Sequence, residues 1–135
     1  MLKVLITISA VMLFSAEALA EIRIIPIDSK SFRKCVFCHT IEEGGKNKMG
    51  SNLWNIMNRG VGKMENYKYS KKFSAWASVN PMWTPSLMDE WLTESRNMVK
   101  GTRMSFGERK ESKRAATIVY LRSMATPKTE QGMIP

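Results

Sequence analysis

Residues 35–39 read CVFCH, and these five residues decide what the chain folds around. Two cysteines three positions apart, followed directly by a histidine, are the attachment signature of a c-type haem. In a helical segment, positions i and i+3 lie on one face, so both thiols can bond to one side of a flat porphyrin. His39 then reaches the iron, and it is the only histidine in the chain.

A Cys-x-x-Cys pair has three other interpretations. A redox dithiol prefers a thioredoxin-like βαβ unit, which the sequence does not show. A structural zinc ion needs four protein ligands, and the chain has no second cysteine or histidine pair. A disulfide would leave the adjacent His39 without a role. The complete five-residue signature therefore favours haem.

The first 20 residues have the pattern of a secretory signal. Lys3 precedes an apolar run from Val4 to Ala16, and Ala18 and Ala20 are small residues where a signal peptidase reads. This apolar run is too short for a membrane-spanning helix, which needs about 20 apolar residues. We therefore predict cleavage after Ala20 and a periplasmic location, where c-type haem is attached. The alternative is an uncleaved anchor that faces the periplasm.

The remaining chain is the size of one small domain, residues 21–125, followed by a polar tail over 126–135. Residues 40–62 contain five glycines and predict a loop. No run of alternating apolar and polar residues indicates a strand, so the predicted class is all-α. Helices are predicted over 28–37, from Tyr69 to the Asn80-Pro81 stop, from Pro85 after a Thr84 cap, and over 108–124.

The chain carries a net charge of +9, which removal of Lys3 and Glu17 with the signal leaves unchanged. Export argues against nucleic acid, and scattered lysines argue against a lipid tether. An acidic protein partner remains, with a merely solvated basic surface as the alternative. The cations that flank the haem-binding segments are the candidates for steering such a partner: Lys34, Lys46, Lys48, Lys100 and Arg103.

The second axial ligand decides the chemistry. A vacant position would permit ligand binding or peroxide chemistry, whereas a strong protein ligand would leave electron transfer. Without a second histidine, methionine is the best candidate, but the chain has eleven methionines and composition does not choose among them.

The order of segments resembles the class I cytochromes c, the group of mitochondrial cytochrome c and bacterial cytochrome c2. The resemblance runs from about Phe32 to Leu121. The segments that carry it are CVFCHTIEEGG (35–45), KMGSNLW (48–54), Arg59, YKYS (67–70), Trp83, GTRMSF (101–106) and AATIVYL (115–121).

This resemblance implies a small cytochrome c fold of about four to five short helices and long loops around one covalently bound haem c. It implies His39 and Met104 as the axial iron ligands and Cys35 and Cys38 as the thioether cysteines. The other implied site residues are Arg59, Tyr69, Trp83 and Thr102 on the propionate side, and Leu53, Trp91 and Phe106 in the haem pocket.

The implied function is that of a monomeric electron carrier, not an enzyme. Its expected acidic partners are a bc1-type complex, a cytochrome oxidase or a photosynthetic reaction centre, and it would meet the membrane only through them if the signal is cleaved. The alternatives are a haem-binding subunit of a larger periplasmic oxidoreductase and an open-site haem enzyme or ligand-binding protein.

Several positions depart from the family pattern, and no glycine occupies the usual crossing point of the N-terminal helix, near Ile27 or Asp28. Ser51, Ser95 and Lys100 stand where the family has proline, and Trp91 stands where it has tyrosine. Because proline fixes φ, the sequence predicts freer loops around His39 and Met104.

Overall fold

The computed structural model describes residues 27–125. It contains a 3-10 helix, Ser29–Phe32, and four α-helices: α1 (Lys71–Val79), α2 (Pro85–Thr93), α3 (Ser95–Met98) and α4 (Glu111–Ser123). Within this part of the chain, the only β pairing is an isolated bridge between Gly60 and Met82. The predicted all-α class and the number of short helices are confirmed.

The N-terminal segment begins where predicted but does not continue as a regular helix. The Asp28 carboxylate accepts a hydrogen bond from the Lys30 N–H at 2.8 Å and caps the segment. The 3-10 helix ends at Phe32, and consecutive turns follow through Cys38. Val36 and Phe37 are exposed, so this stretch lacks the buried apolar face that stabilises a helix by tertiary packing.

Helices α1 and α2 begin at side-chain caps. The Ser70 hydroxyl accepts a hydrogen bond from the Phe73 N–H, and the Thr84 hydroxyl accepts one from the Leu87 N–H, each at 3.1 Å. Pro85 occupies the first helical position of α2, where its missing N–H has no intrahelical role. Both predicted starts are therefore confirmed to within two residues.

The last helix is shorter than the predicted 108–124, since α4 spans Glu111–Ser123. The Arg114 guanidinium donates to the carbonyl oxygens of Glu108 and Arg109, each at 3.0 Å. These carbonyls therefore bond to a side chain instead of an intrahelical ladder. The same guanidinium holds both carboxylate oxygens of Asp89 in α2, at 2.8 and 3.0 Å.

The two ends of the described chain pack together. The rings of Phe32 and Tyr120 lie 5.4 Å apart, so the 3-10 helix contacts α4. The Thr117 hydroxyl also lies 3.2 Å from the Ser31 carbonyl. Ile118 and Leu121 are buried on α4, whereas its apolar residues Ala115 and Val119 are half-buried. This contact encloses one end of the core.

Within residues 27–125, no helix is long and apolar enough to cross a membrane. The predicted signal over 1–20 and the predicted tail over 126–135 lie outside the described residues. Both remain predictions.

Candidate cofactor site

A cavity of about 580 Å³ lies among the helices and the long loops. Its size falls within the range of about 300–1,000 Å³ that is typical of small-molecule and cofactor sites. Every site residue that the sequence predicted lines this one cavity: Cys35, Cys38, His39, Leu53, Arg59, Tyr69, Trp83, Trp91, Thr102, Met104 and Phe106. The fold therefore brings together residues that are up to 71 positions apart in the sequence.

The His39 imidazole is held by the loop that follows it. Its Nδ1 lies 2.6 Å from the Ser51 carbonyl oxygen. A carbonyl only accepts, so Nδ1 carries the proton and Nε2 keeps its lone pair. Burial lowers the pKa of His39, and nearby Lys48 adds to this, although the Ser51 bond opposes it. The ring is thus prepared as a neutral nitrogen ligand.

Gly50 lets the backbone approach this ring. A Cβ at Gly50 would stand 2.6 Å from Nε2 of His39, closer than any real carbon contact. The Gly50 N–H also donates to the Cys38 carbonyl at 2.7 Å, which joins the loop to the CVFCH segment. Glycine at position 50 is therefore a requirement of the packing around His39.

The loop after His39 keeps its shape without the family's proline. The buried Asn52 donates its backbone N–H to Oδ1 of Asn47 at 2.8 Å. Its amide group donates to Thr40 Oγ1 at 2.7 Å and to the Glu42 carbonyl at 2.9 Å. These bonds hold the chain directly after Ser51. The predicted freedom of this loop stays a prediction.

Cys35 and Cys38 are half-buried on the cavity wall. The Cys38 N–H donates to the Cys35 carbonyl at 3.0 Å, which is a tight i to i+3 turn. Burial raises the pKa of Cys35 to about 11, and the neighbouring Cys38 adds to the shift. Both cysteines thus line the space that a flat ligand would occupy. Among residues 27–125, no three His, Cys, Asp or Glu side chains cluster as a metal site.

Met104 reaches the cavity from the segment after α3. Its backbone carbonyl lies 3.1 Å from the Ser95 hydroxyl, and its N–H lies 3.4 Å from the hydroxyl of the buried Thr102. Trp91 of α2 is also buried at the cavity wall. Met104 is thus a thioether on an anchored backbone that borders the same space as His39.

Arg59 brings a positive charge to the cavity wall. Its guanidinium donates to the carbonyl oxygens of Trp54 at 2.7 Å and Asn52 at 2.9 Å, which fixes its position. Burial lowers the pKa of Arg59, while nearby Tyr69 opposes that shift. An anchored guanidinium at a half-buried position suits the carboxylates of a ligand.

Two further aromatic residues, Phe73 and Trp76, pack against predicted site residues but were not predicted as part of the site. The Phe73 ring stacks on Tyr69 at 5.1 Å and meets Trp91 edge-on at 5.5 Å. Trp76 stacks in turn on Trp91 at 5.7 Å. Phe73 lies at helical spacing from Tyr69 and Trp76, so the amphipathic pattern of α1 could have identified Phe73 as a residue on the same face. Phe32, Tyr67 and Met88 also line the cavity.

The residues on the wall fit a haem. They supply two thiols, a neutral imidazole, a thioether and an anchored guanidinium around an apolar space. No family model matches the chain. Individual proteins are nevertheless similar to it in sequence. A cytochrome c of Kluyveromyces lactis is 35% identical over 89 residues, which cover 65% of this chain and 78% of the relative.

This chain belongs to the class I cytochrome c family. A cytochrome c2 of Afifella marina is 32% identical over 98 residues, covering 72% of this chain and 79% of the relative. A cytochrome c-550 of Novispirillum itersonii is 30% identical over 100 residues, covering 68% and 90%. Members of the family carry one covalently attached haem c and transfer electrons. This cytochrome is therefore a haem c electron-transfer protein and not an enzyme.

Proposed function

We propose that this cytochrome is an exported, periplasmic carrier that shuttles single electrons between membrane redox complexes. In this proposal, Cys35 and Cys38 hold the haem as thioethers, and His39 and Met104 are the axial iron ligands. The donor is a bc1-type complex, and the acceptor is a terminal oxidase or a photosynthetic reaction centre. The observation that carries the proposal is that these four side chains line one cavity.

The chain prepares the ligands and controls the polarity of the site. The haem supplies a one-electron couple between ferric and ferrous iron. His39 offers Nε2 because the Ser51 carbonyl holds the proton on Nδ1. Met104 supplies a thioether, which is a poor donor to the more highly charged oxidised state and so raises the potential. The apolar wall acts in the same direction, because burial disfavours added positive charge.

Arg59, Tyr69, Trp83 and Thr102 form the propionate side of the site in this proposal. The Tyr69 hydroxyl accepts a hydrogen bond from the Met64 N–H at 3.3 Å, so its own proton is free for a second partner. Arg59 is fixed by two carbonyl groups. Trp83 is buried at the cavity wall, and its indole N–H is a donor. Leu53, Trp91 and Phe106 complete the pocket.

We infer a docking face at the rim of the cavity, with an apolar centre and a basic border. Phe37 and Met49 are 79% and 77% exposed, and Val36 is 44% exposed. Their two segments are adjacent, because the Lys48 ammonium donates to the Val36 carbonyl at 2.8 Å. The basic border consists of Lys34, Lys46, Lys48, Lys100 and Arg103, which flank the segments that line the cavity.

This face suits an acidic redox protein that offers a small apolar contact. Lys34 and Arg103 line the cavity itself, so attraction acts close to where an electron leaves. Lys34 also pairs with Glu108 at 3.0 Å, and Arg103 lies over the Tyr67 ring at 5.9 Å. Charged borders accelerate encounter, and apolar centres hold the complex. We propose a small, short-lived interface, as turnover requires.

One experiment tests export and attachment together. The full chain is produced in a bacterium that attaches c-type haem in its periplasm, and the periplasmic fraction is analysed by mass spectrometry. We expect residues 21–135 plus the mass of one haem, and the loss of bound haem in a variant with both Cys35→Ala and Cys38→Ala. A chain that keeps residues 1–20 at the membrane would contradict cleavage, and a haem-free periplasmic chain would contradict the site.

A further inference from the structure

Ser95 is a fully buried polar residue, with 0% of its surface exposed, at the first position of α3. Its hydroxyl oxygen lies 3.1 Å from the Met104 carbonyl oxygen and 3.2 Å from that of Phe106. The Phe106 N–H lies 3.3 Å from the same hydroxyl. One side chain therefore contacts the backbone on both sides of residue 105.

The distances and the other partners of these groups favour one assignment of the bonds. The Phe106 carbonyl already accepts from the Ser95 N–H at 3.1 Å. The Ser95 hydroxyl accepts from the Phe106 N–H, and the nearer of the two acceptors for its single proton is the Met104 carbonyl. Within residues 27–125, that carbonyl accepts no other hydrogen bond. The backbone of Met104 is therefore tied to the core through the Ser95 hydroxyl.

This arrangement differs from rigidity supplied by proline rings. Ser95 stands at a family proline position and Lys100, which is exposed, at another. The sequence therefore predicted a freer methionine loop. In the structure, this loop is bonded to a buried hydroxyl, and its freedom stays a prediction.

We propose that Ser95 is a positioning residue for the sixth iron ligand, because its hydroxyl governs how readily the Met104 thioether leaves the iron. The inference rests on the proposed ligation by Met104. While the loop is closed, removal of the hydroxyl leaves the Met104 carbonyl, which lies against the fully buried Ser95, without its donor. When the loop opens, water satisfies that carbonyl. The change therefore penalises the closed state and shifts the equilibrium towards the open one.

The test is the binding of imidazole to the ferric holoprotein. We expect Ser95→Ala to lower the apparent dissociation constant for imidazole about tenfold, since the open fraction sets the affinity for an external ligand. The weak iron–sulfur charge-transfer band should also disappear at a lower pH than in the unaltered protein. Ser95→Thr, which keeps the hydroxyl, should restore both readouts towards their original values.

Ser31→Ala is the matched control. The Ser31 hydroxyl also lies close to two backbone carbonyls, Asp28 at 2.7 Å and Ala116 at 3.3 Å, but neither of these residues lines the cavity, whereas Met104 does. We expect this variant to lose stability without a change in imidazole affinity. If Ser95→Ala and Ser31→Ala lose similar stability and both bind imidazole like the unaltered protein, Ser95 is only structural and the inference is overturned.

Amide hydrogen exchange in the unaltered holoprotein keeps the test decisive if Ser95→Ala does not fold. The Phe106 amide should exchange slowly because it donates to the Ser95 hydroxyl, while the amide of exposed Ser105 should exchange fast. Equal rates would overturn the inference. Failure of the proposed ligation has a different signature, since the unaltered protein would then lack the iron–sulfur band and already bind imidazole tightly.

Discussion

The Nδ1 atom of His39 lies 2.6 Å from the carbonyl oxygen of Ser51. Ser51 stands at a position where class I cytochromes c have proline. The ring orientation thus depends on a carbonyl that any residue possesses. The Gly50 backbone packs against the ring from the same loop, and Asn52 holds the chain after Ser51. The conformation of this loop therefore depends on the hydrogen bonds of Ser51 and Asn52 and on the glycine at position 50.

Ser51→Pro should raise the free energy of unfolding by about 0.4–1 kcal/mol, because proline lowers the conformational entropy of the unfolded chain. Within residues 27–125, the Ser51 N–H donates no hydrogen bond, so proline removes none. Urea unfolding of the holoprotein measures the change. A lower midpoint would show that the backbone at residue 51 does not accommodate the ring.

Gly50→Ala should disrupt the site, because the new methyl group would overlap the His39 imidazole. We expect a loss of about 2 kcal/mol or more in stability, as for overpacking of a rigid core, and an altered ferric absorption spectrum. Gly44→Ala is the control. Gly44 has a positive φ of 68°, so alanine is strained there too, but a Cβ at Gly44 would meet no atom within 4 Å. Equal spectra for both variants would contradict a direct contact with His39.

The docking face predicts two separable effects on electron transfer to an acidic partner. Lys48→Glu should slow the reaction at low ionic strength and have little effect at high salt, because salt screens exposed charges. Phe37→Ser should slow electron transfer at both low and high ionic strength, since salt does not screen an apolar contact. Stopped-flow rates over a range of ionic strength measure both. A salt-independent rate in the unaltered protein would argue against electrostatic steering.

The Lys34–Glu108 pair predicts a modest pH dependence. The Lys34 ammonium holds the pKa of Glu108 below its usual value, and the Lys110 N–H adds to this. The folded pKa is depressed, so the contribution is present above the unfolded pKa and is lost as pH falls through the folded pKa. Glu108→Gln should therefore lower Tm more at pH 7 than at about pH 3, below the ordinary glutamate pKa. An equal shift at both pH values would show that the charge is not involved.

The residues that the sequence predicted for the candidate site lie in segments that carry strong local signals. The five residues CVFCH are a specific signature of c-type haem attachment. Thr84-Pro85 predicts a helix start from capping preferences alone. The eleven predicted residues line one cavity, although nothing in their composition dictates that convergence. Resemblance to a family supplied the choice of Met104 among eleven methionines.

What the sequence did not predict depends on contacts between distant segments. Ser95 was identified only as a departure from proline, because its bonds to Met104 and Phe106 are visible only in three dimensions. The helix expected through Phe37 became a series of turns, since exposure of Val36 and Phe37 is a tertiary property. Helix α4 begins later than predicted because the Arg114 guanidinium donates hydrogen bonds to the carbonyls of Glu108 and Arg109, which precede the helix.

The most direct measurement of the central claim is the absorption spectrum of the ferric holoprotein at neutral pH, before and after Met104→Ala. We predict a weak iron–sulfur charge-transfer band in the unaltered protein and its loss in Met104→Ala, with the haem still covalently bound. Met98→Ala, at a half-buried methionine outside the cavity wall, should keep the band. A band that is absent from the unaltered protein, or that survives Met104→Ala, would contradict ligation by Met104.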